Sequence, residues 1–199
     1  MKALNDVIDG GKVRYIGASS VSHFVFRKRA FPDIRPNEYA PRPDGCNGWH
    51  RFVSMQSLRN LIARQEEREM IPYCLDTEIG LTPWSPIARG VLARAWDSRS
   101  SIRESTDGSL KSIIRDRESA GDKAIIDIVE EVAKGKGITM AQVAIVWCLA
   151  HPNENPILSL NSQDRIDEAV AAISVQLTEE EIRYLEELYV PKQIHPSER

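Results

Sequence analysis

Short runs of strand-forming residues alternate along this chain with helix-patterned segments, and that alternation constrains the fold more than any other feature. The first run, Lys12-Val13-Arg14-Tyr15-Ile16-Gly17-Ala18-Ser19-Ser20, places Val13, Tyr15 and Ile16 where a pleated, half-buried surface suits them. Phe52-Val53-Ser54-Met55-Gln56, Gly80-Leu81-Thr82-Pro83-Trp84 and residues 156–160 read as three more strands. Helical spacing follows at residues 66–75, at 87–96 around Gly90, and at 162–173. An amphipathic turn over residues 3–8, ended by Gly10-Gly11, reads as the close of a crossover helix. Each strand leads onward to a helix, which predicts an α/β fold with parallel strands.

The remaining pattern is scaffold. Ile125, Ile126, Ile128, Val129 and Val132 give residues 122–134 a helical period. Thr139 with Gln142 spells a capping box opening a helix over 140–150, closed by Pro152; Thr178 with Glu181 spells another, with Leu177 and Ile182 placed as a hydrophobic staple. Residues 97–119 are rich in serine and charge without a sustained period, and read as a long loop and candidate flap. Residues 21–48 hold Pro32, Pro36, Pro41 and Pro43 where a crossover helix is expected, so that connection is an irregular insertion.

Composition removes several function classes. With 42% hydrophobic and 28% charged residues, the 199-residue chain has ordinary globular usage. Its net charge of −3, with only a local spot at Arg27-Lys28-Arg29, argues against a nucleic-acid partner. No apolar run is long enough to span a bilayer and residues 1–6 carry no signal-peptide core, so a cytoplasmic location without membrane partners is expected. Cys46, Cys74 and Cys148 are too widely and irregularly spaced for a disulfide framework or a zinc site, and read as reduced thiols.

Two places carry chemistry. Gly17 permits close backbone approach, and Ser19 and Ser20 offer donors and acceptors where the first strand stops, at the strand end that carries ligands in parallel sheets. A plain strand-to-loop exit is the alternative. Leu160 ends the fourth strand, Asn161-Ser162 can cap the next helix, and Arg165 lies in its first turn, so amides, dipole and guanidinium converge on one anion. Asp164 and Asp167 fit the other reading, a capped surface helix.

The strand runs, with Arg64-Gln65-Glu66-Glu67-Arg68-Glu69-Met70 and Thr82-Pro83-Trp84-Ser85-Pro86-Ile87-Ala88-Arg89-Gly90, resemble the aldo-keto reductases. The resemblance is to the microbial and fungal branch with aryl-alcohol dehydrogenase-like and versiconal hemiacetal acetate reductase-like members, and covers nearly all of the chain outside residues 21–48. It implies a (β/α)8 TIM barrel that binds NADP(H) and reduces a small aldehyde or ketone. By that resemblance Ser19, Ser20 and Gln56 contact the nicotinamide carboxamide, and Trp84 stacks on the ring. Taken by itself, Trp84 is equally an ordinary buried tryptophan. Ser85, Pro86, Ile87 and Gly90 line the pyrophosphate path, and Ser162, Arg165 and Glu168 match contacts to the 2′-phosphate. Ser20, Ser159 and Ala169 depart from the family's frequent Asn, Gly and Asn, which bears on cofactor preference.

The resemblance also implies an absence. The family's Tyr, Lys, Asp and His lie on its first four strands, whereas this sequence matches from the crossover before the fifth. Tyr15, Tyr39, Tyr73, Tyr184, Tyr189, His23, His50, His151 and His195 fall in other motifs. The expectation is an incomplete barrel of the last four strand-helix units plus extra helices. Its first strand lies in residues 1–20, the insertion in 21–48, the remaining half-barrel in 49–190 and a tail in 191–199. Such a chain is expected to be a truncated product inactive alone. The alternative is a non-catalytic nucleotide-binding or interaction half-barrel that self-associates through open strand edges.

Overall fold

The computed structural model describes residues 2–19, 49–98 and 102–192. Ser20, the insertion at 21–48 and residues 193–199 of the tail lie outside the described residues. Helix α1 (Lys2–Asp9) leads through Gly11, whose φ of 68° suits glycine, toward strand β1 (Ile16–Ser19). β1, β2 (Phe52–Gln56) and β3 (Gly80–Leu81) form a parallel sheet in that order. The α/β class expected from the alternation is what the molecule has.

The first strand starts later than expected. It gains a partner only at Ile16, opposite Phe52, while Val13 and Tyr15 are exposed at 40% and 72%. At Gly17 the pairing shifts register toward Ser54, and a Cβ there would press on Ser54 O at 3.2 Å and oblige the Ser54 hydroxyl to turn aside, so glycine eases the close approach.

Two other strand expectations are shortened by proline. β3 stops at Leu81, and Trp84 then makes isolated parallel bridges to Leu58 and Ile157. Of the strand expected over 156–160 only Ile157 pairs, bridging Trp84, with a second bridge before it from Leu81 to Glu154; Pro83, between the two bridges, brings no N–H to the ladder. Proline also divides the helix expected over 66–75 into a 3-10 turn (Gln65–Arg68) and α2 (Met70–Asp76). Pro72 is tolerated in the first turn of α2, but a helix continuing from Gln65 would need its missing donor.

Residues 97–119 are not the long loop that their composition predicts. They hold α3 (Ile102–Thr106), α4 (Gly108–Ile113) and a 3-10 turn (Arg115–Arg117). The Asp107 carboxylate caps α4 by accepting from the amides of Ser109 and Leu110. Leu110 and Ile114, each 2% exposed, enter the main core, and the Arg115 guanidinium is gripped by Glu104 and Glu118. Helices of five and six residues are too short to display a period, so this packing was invisible in the sequence.

The other helices follow their signals. α5 (Ala120–Lys136) ends on Gly137 in the left-handed region, and both capping boxes close reciprocally at the starts of α6 (Met140–Leu149) and α8 (Glu179–Glu186). α6 is buried from Ala141 to Cys148 and joins α5, the 88–93 segment and Leu185 in the main core. A second core between α2 and the sheet contains Ile16, Phe52, Met55, Met70 and Cys74. No described helix is long and apolar enough to cross a membrane.

Glu186 ties α8 to the body. Its carboxylate accepts from Trp147 Nε1 at 2.8 Å and Arg64 Nη2 at 3.2 Å, with His151 Nε2 at 3.1 Å. Burial pushes this carboxyl up, but the His151 bond, the Arg64 charge and the Trp147 bond outweigh it and hold it at about 2. Because the folded value lies below the unfolded one, the stabilisation is complete above the usual glutamate value of 4.5 and is lost as pH falls toward 2. Glu186→Gln should lower stability in urea by on the order of 2 kcal/mol at neutral pH after discount for partial exposure. The gap from wild type should close on acidification, and a gap unchanged near pH 2 contradicts the assignment. Leu110→Ala should cost about 2–4 kcal/mol, whereas a loss under about 0.5 kcal/mol would mark residues 102–117 as an unpacked flap.

Candidate functional site

The parallel ladder sets the level of the expected ligand residues. Ser19 pairs with Gln56 at the carboxyl ends of β1 and β2, Trp84 bridges Leu58 two residues further on, and Ile157 bridges Trp84. Ser19, Gln56 and Trp84 therefore stand at the same end of the sheet, the end where parallel folds bind ligands. Ser19 is exposed, and Gln56 and Trp84 are half-buried.

Immediately after Trp84 the chain makes a tight, strained turn. Ser85, Ala88 and Arg89 have φ of 60°, 47° and 57°, and Gly90 has φ of 101°. For the three residues with a Cβ this conformation costs of order 1–3 kcal/mol each, so neighbours must enforce it. Asn60, with no exposed surface, does so: its Nδ2 donates to Ser85 O at 3.0 Å, while its Oδ1 accepts from Ile62 N at 3.1 Å. The Arg89 amide donates to Ser85 Oγ at 3.0 Å, the Ala88 amide to Ser85 O and the Gly90 amide to Ile87 O. The helix expected over 87–96 is instead a kinked 3-10 segment (Ala88–Ala93), because Arg89 and Gly90 leave helical dihedrals. Asn60 was missed in the sequence, where it is one polar residue before the apolar run Leu61-Ile62-Ala63.

Beside this turn opens a cleft of about 780 Å³. One wall is Ile87, Arg89 and Gly90; the facing wall is Leu160 with Arg165 and Glu168 of α7 (Gln163–Ala172). Four expected site residues, Ile87, Gly90, Arg165 and Glu168, thus share one space. Ser19, Gln56, Trp84, Ser85, Pro86 and Ser162 are not on its walls. Ser162 occupies the N-cap position of α7 without a side-chain capping bond, contrary to the expected cap; Asn161 Oδ1 instead accepts from Arg165 Nη1 at 2.9 Å. α7 is registered on α6 by Gln142, whose Nε2 donates to Glu168 O at 3.0 Å.

The charges around the cleft are unequal. Arg89, Arg94 and Arg165 face Asp107 and Glu168 on its walls, which favours an anionic occupant. Arg89 meets Asp107 through two bonds, Nε to Oδ2 at 3.0 Å and Nη2 to Oδ1 at 3.2 Å. Burial pushes the Asp107 carboxyl up, but the Leu110 amide, the Arg89 guanidinium and the Ser109 amide together hold it below the usual aspartate range.

A second charged cluster lies apart from this cleft. Buried Arg59 pairs with Glu67 and with Glu154 Oε1, the latter at 2.5 Å, and its guanidinium sits over Trp147 at 4.7 Å. Burial raises the Glu154 carboxyl against the pull of Arg59. These side chains fix α6 against the strand ends. The cysteines Cys74 and Cys148 are buried and free, with the Cys74 thiol pushed up to about 12 by burial.

Comparison with known proteins identifies the family. The aldo/keto reductase family model matches residues 1–190. Versiconal hemiacetal acetate reductase of Aspergillus parasiticus is 60% identical over 199 residues, covering 100% of this chain and 55% of its own length. A provisionally named aryl-alcohol dehydrogenase of Saccharomyces cerevisiae is 46% identical over 192 residues, covering 96% and 52%. The chain spans about half the length of the curated relatives it matches. Among solved structures, an aldo/keto reductase from Klebsiella pneumoniae in complex with NADP and acetate superposes with a TM-score of 0.65 at 22% identity, covering 97% of this chain and 54% of that one. A thermostable aldo-keto reductase in complex with the inhibitor epalrestat gives 0.66 at 21% identity, covering 94% and 53%. At that identity the superpositions speak for the fold, and the sequence match across residues 1–190 supplies the rest: this chain belongs to the aldo/keto reductase family.

Proposed function

We propose that this chain is the nucleotide-gripping part of an NADP(H)-dependent oxidoreductase that acts on a small aldehyde or ketone. The observation that carries the reading is the 780 Å³ cleft between the strained turn at Gly90 and the start of α7, where guanidiniums outnumber carboxylates. The volume suits a cofactor-sized ligand, and Gly90 leaves its wall without a Cβ. Ile87 and Gly90, with Ser85 and Pro86 behind them, follow the pyrophosphate. Arg165 receives the 2′-phosphate, where its planar fork suits a phosphate better than a lysine would, with Ser162 at the start of α7 beyond the wall and the Glu168 carboxylate left to accept from hydrogen-bond donors of the adenosine. Ser19, Ser20 and Gln56 hold the carboxamide, and the Trp84 indole offers its flat face to the nicotinamide. Bound there, the cofactor supplies the hydride for a carbonyl.

On this reading the chain is the last four strand-helix units of a barrel, with residues 21–48 replacing one crossover. It holds the cofactor but lacks its own proton donor. Supporting this, the Tyr184 hydroxyl donates to Glu131 Oε2 at 2.9 Å and the Tyr189 hydroxyl accepts from Arg64 N at 3.1 Å, so both phenols are engaged elsewhere. Neither lies on the walls of the cleft. A positioned acid is worth about 10²–10⁴-fold in rate, so the purified chain should bind without measurable turnover. Its free, buried thiols accord with a cytoplasmic setting.

A second reading, self-association, rests on the exposed apolar stripe Ile166, Val170 and Ile173 on α7 and on Tyr15 before β1. Light scattering that finds only monomer at high concentration removes it.

The first reading predicts that NADPH quenches the intrinsic tryptophan fluorescence and that Trp84→Phe removes most of the quench. Arg165→Glu should weaken NADPH at least about tenfold while leaving NADH nearly unchanged, since only the former carries the phosphate that a guanidinium grips. No quench by either nucleotide refutes the cofactor assignment; robust reduction of a broad aldehyde substrate by the isolated chain refutes the missing acid.

A further inference from the structure

We infer that Arg59 and Glu154 are positioning residues for the nicotinamide end of the site, a buried ion pair that clamps the segment bearing Trp84 between its two neighbours and so aims the indole. This rests on the reading of Trp84 as the platform for the nicotinamide ring.

The ladder beyond the regular strands sets the geometry. Residues 81–84 run between two segments: Trp84 bridges Leu58 on one side and Ile157 on the other, and Leu81 bridges Glu154. Pro83 gives this middle segment no donor, and the rung from Arg59 N to Trp84 O is long at 3.4 Å, against 2.9 Å from Trp84 N to Ser57 O and 2.8 Å from Ile157 N to Pro83 O. Arg59 belongs to one flank and Glu154 to the other. Their side chains meet, Nε to Oε1 at 2.5 Å, so the pair joins the two flanks with the Trp84 segment between them. Arg59 is held in turn by Glu67 and by the buried Trp147 ring, 4.7 Å from its guanidinium. Asn60, next in the chain, grips Ser85 O at 3.0 Å, so a shift of Arg59 loosens the hold on both Trp84 and the turn after it.

Stability does not account for two charges in this place. The side chains are 4% and 1% exposed, and Glu154 Oε2 finds no hydrogen-bond donor among the described residues. Apolar side chains of similar size in place of such a pair often leave a fold as stable or more so, and what the pair adds here is fixed geometry.

Arg59→Met combined with Glu154→Leu removes both charges and keeps the volume. In urea this double variant should unfold close to wild type, while calorimetric titration should show NADPH bound about 3–10-fold more weakly, the share that a misaimed indole loses in stacking. Adenosine 2′,5′-bisphosphate, which fills the phosphate end and carries no nicotinamide, should bind within about twofold of wild type. With Trp84→Ala already in place, the double substitution should cost NADPH nothing further, a coupling that general loosening of the chain would not produce. Glu154→Gln, which keeps the shape and drops one charge, should move NADPH in the same direction.

Equal weakening of NADPH and the bisphosphate, unchanged NADPH binding in the double variant, or an undiminished effect in the Trp84→Ala background overturns the clamp and leaves the nucleotide reading standing. Loss of the fold in both the double variant and Glu154→Gln makes the pair a stability element and overturns the clamp as well. Wild type that does not bind NADPH removes the nucleotide reading and the clamp together.

Discussion

The structure depends on a run of main-chain bonds that carries the parallel ladder past the end of its regular strands. Thr82 N donates to Met55 O, Trp84 N to Ser57 O and Arg59 N to Trp84 O; Asn155 and Ile157 donate in turn to Leu81 O and Pro83 O. Each bond satisfies a group that would be costly to bury unpaired. Together they hold the residues that follow β2 and β3 level with residues 155–157. Without them the chain leaving Trp84 would have no fixed direction, and the turn at Ser85 would not meet Asn60.

From that level two elements grow toward each other. The turn from Ser85 to Gly90 is held against its own dihedral preference by Asn60, and α7 is set by the bond from Gln142 to the Glu168 carbonyl. The cleft is the space left between them, and its walls keep guanidiniums in excess. Strain on one side and register on the other therefore both shape that cleft.

Much of this was legible in the residues. Thr139 with Gln142 and Thr178 with Glu181 make their reciprocal caps because the bonds involved are local, closing over three residues whatever the rest of the chain does. Gly17 was readable as a point of close approach for a similar reason, since the lack of a Cβ leaves room beside Ser54. The motif around Trp84 brought the family into view, and the match over residues 1–190 upholds it. By contrast, α3 and α4 escaped notice: a segment of five or six residues shows no period, and what makes it helical is Leu110 and Ile114 reaching a core built from α5 and α6. The expected Ser162 cap was read correctly as a position and wrongly as a bond.

By itself, then, the sequence determined the strand-helix alternation, the helix starts, the family and the residue types available for a nucleotide, because propensity, capping and motif spacing act over a few neighbouring residues. Tertiary structure alone decided which of those residues meet. It put Ile87, Gly90, Arg165 and Glu168 around one cleft, left Pro86 behind the wall, buried Asn60 beneath the turn, and paired Arg89 with Asp107. Such meetings join residues far apart in the chain, and their geometry is set by packing and by long-range hydrogen bonds that no local pattern encodes.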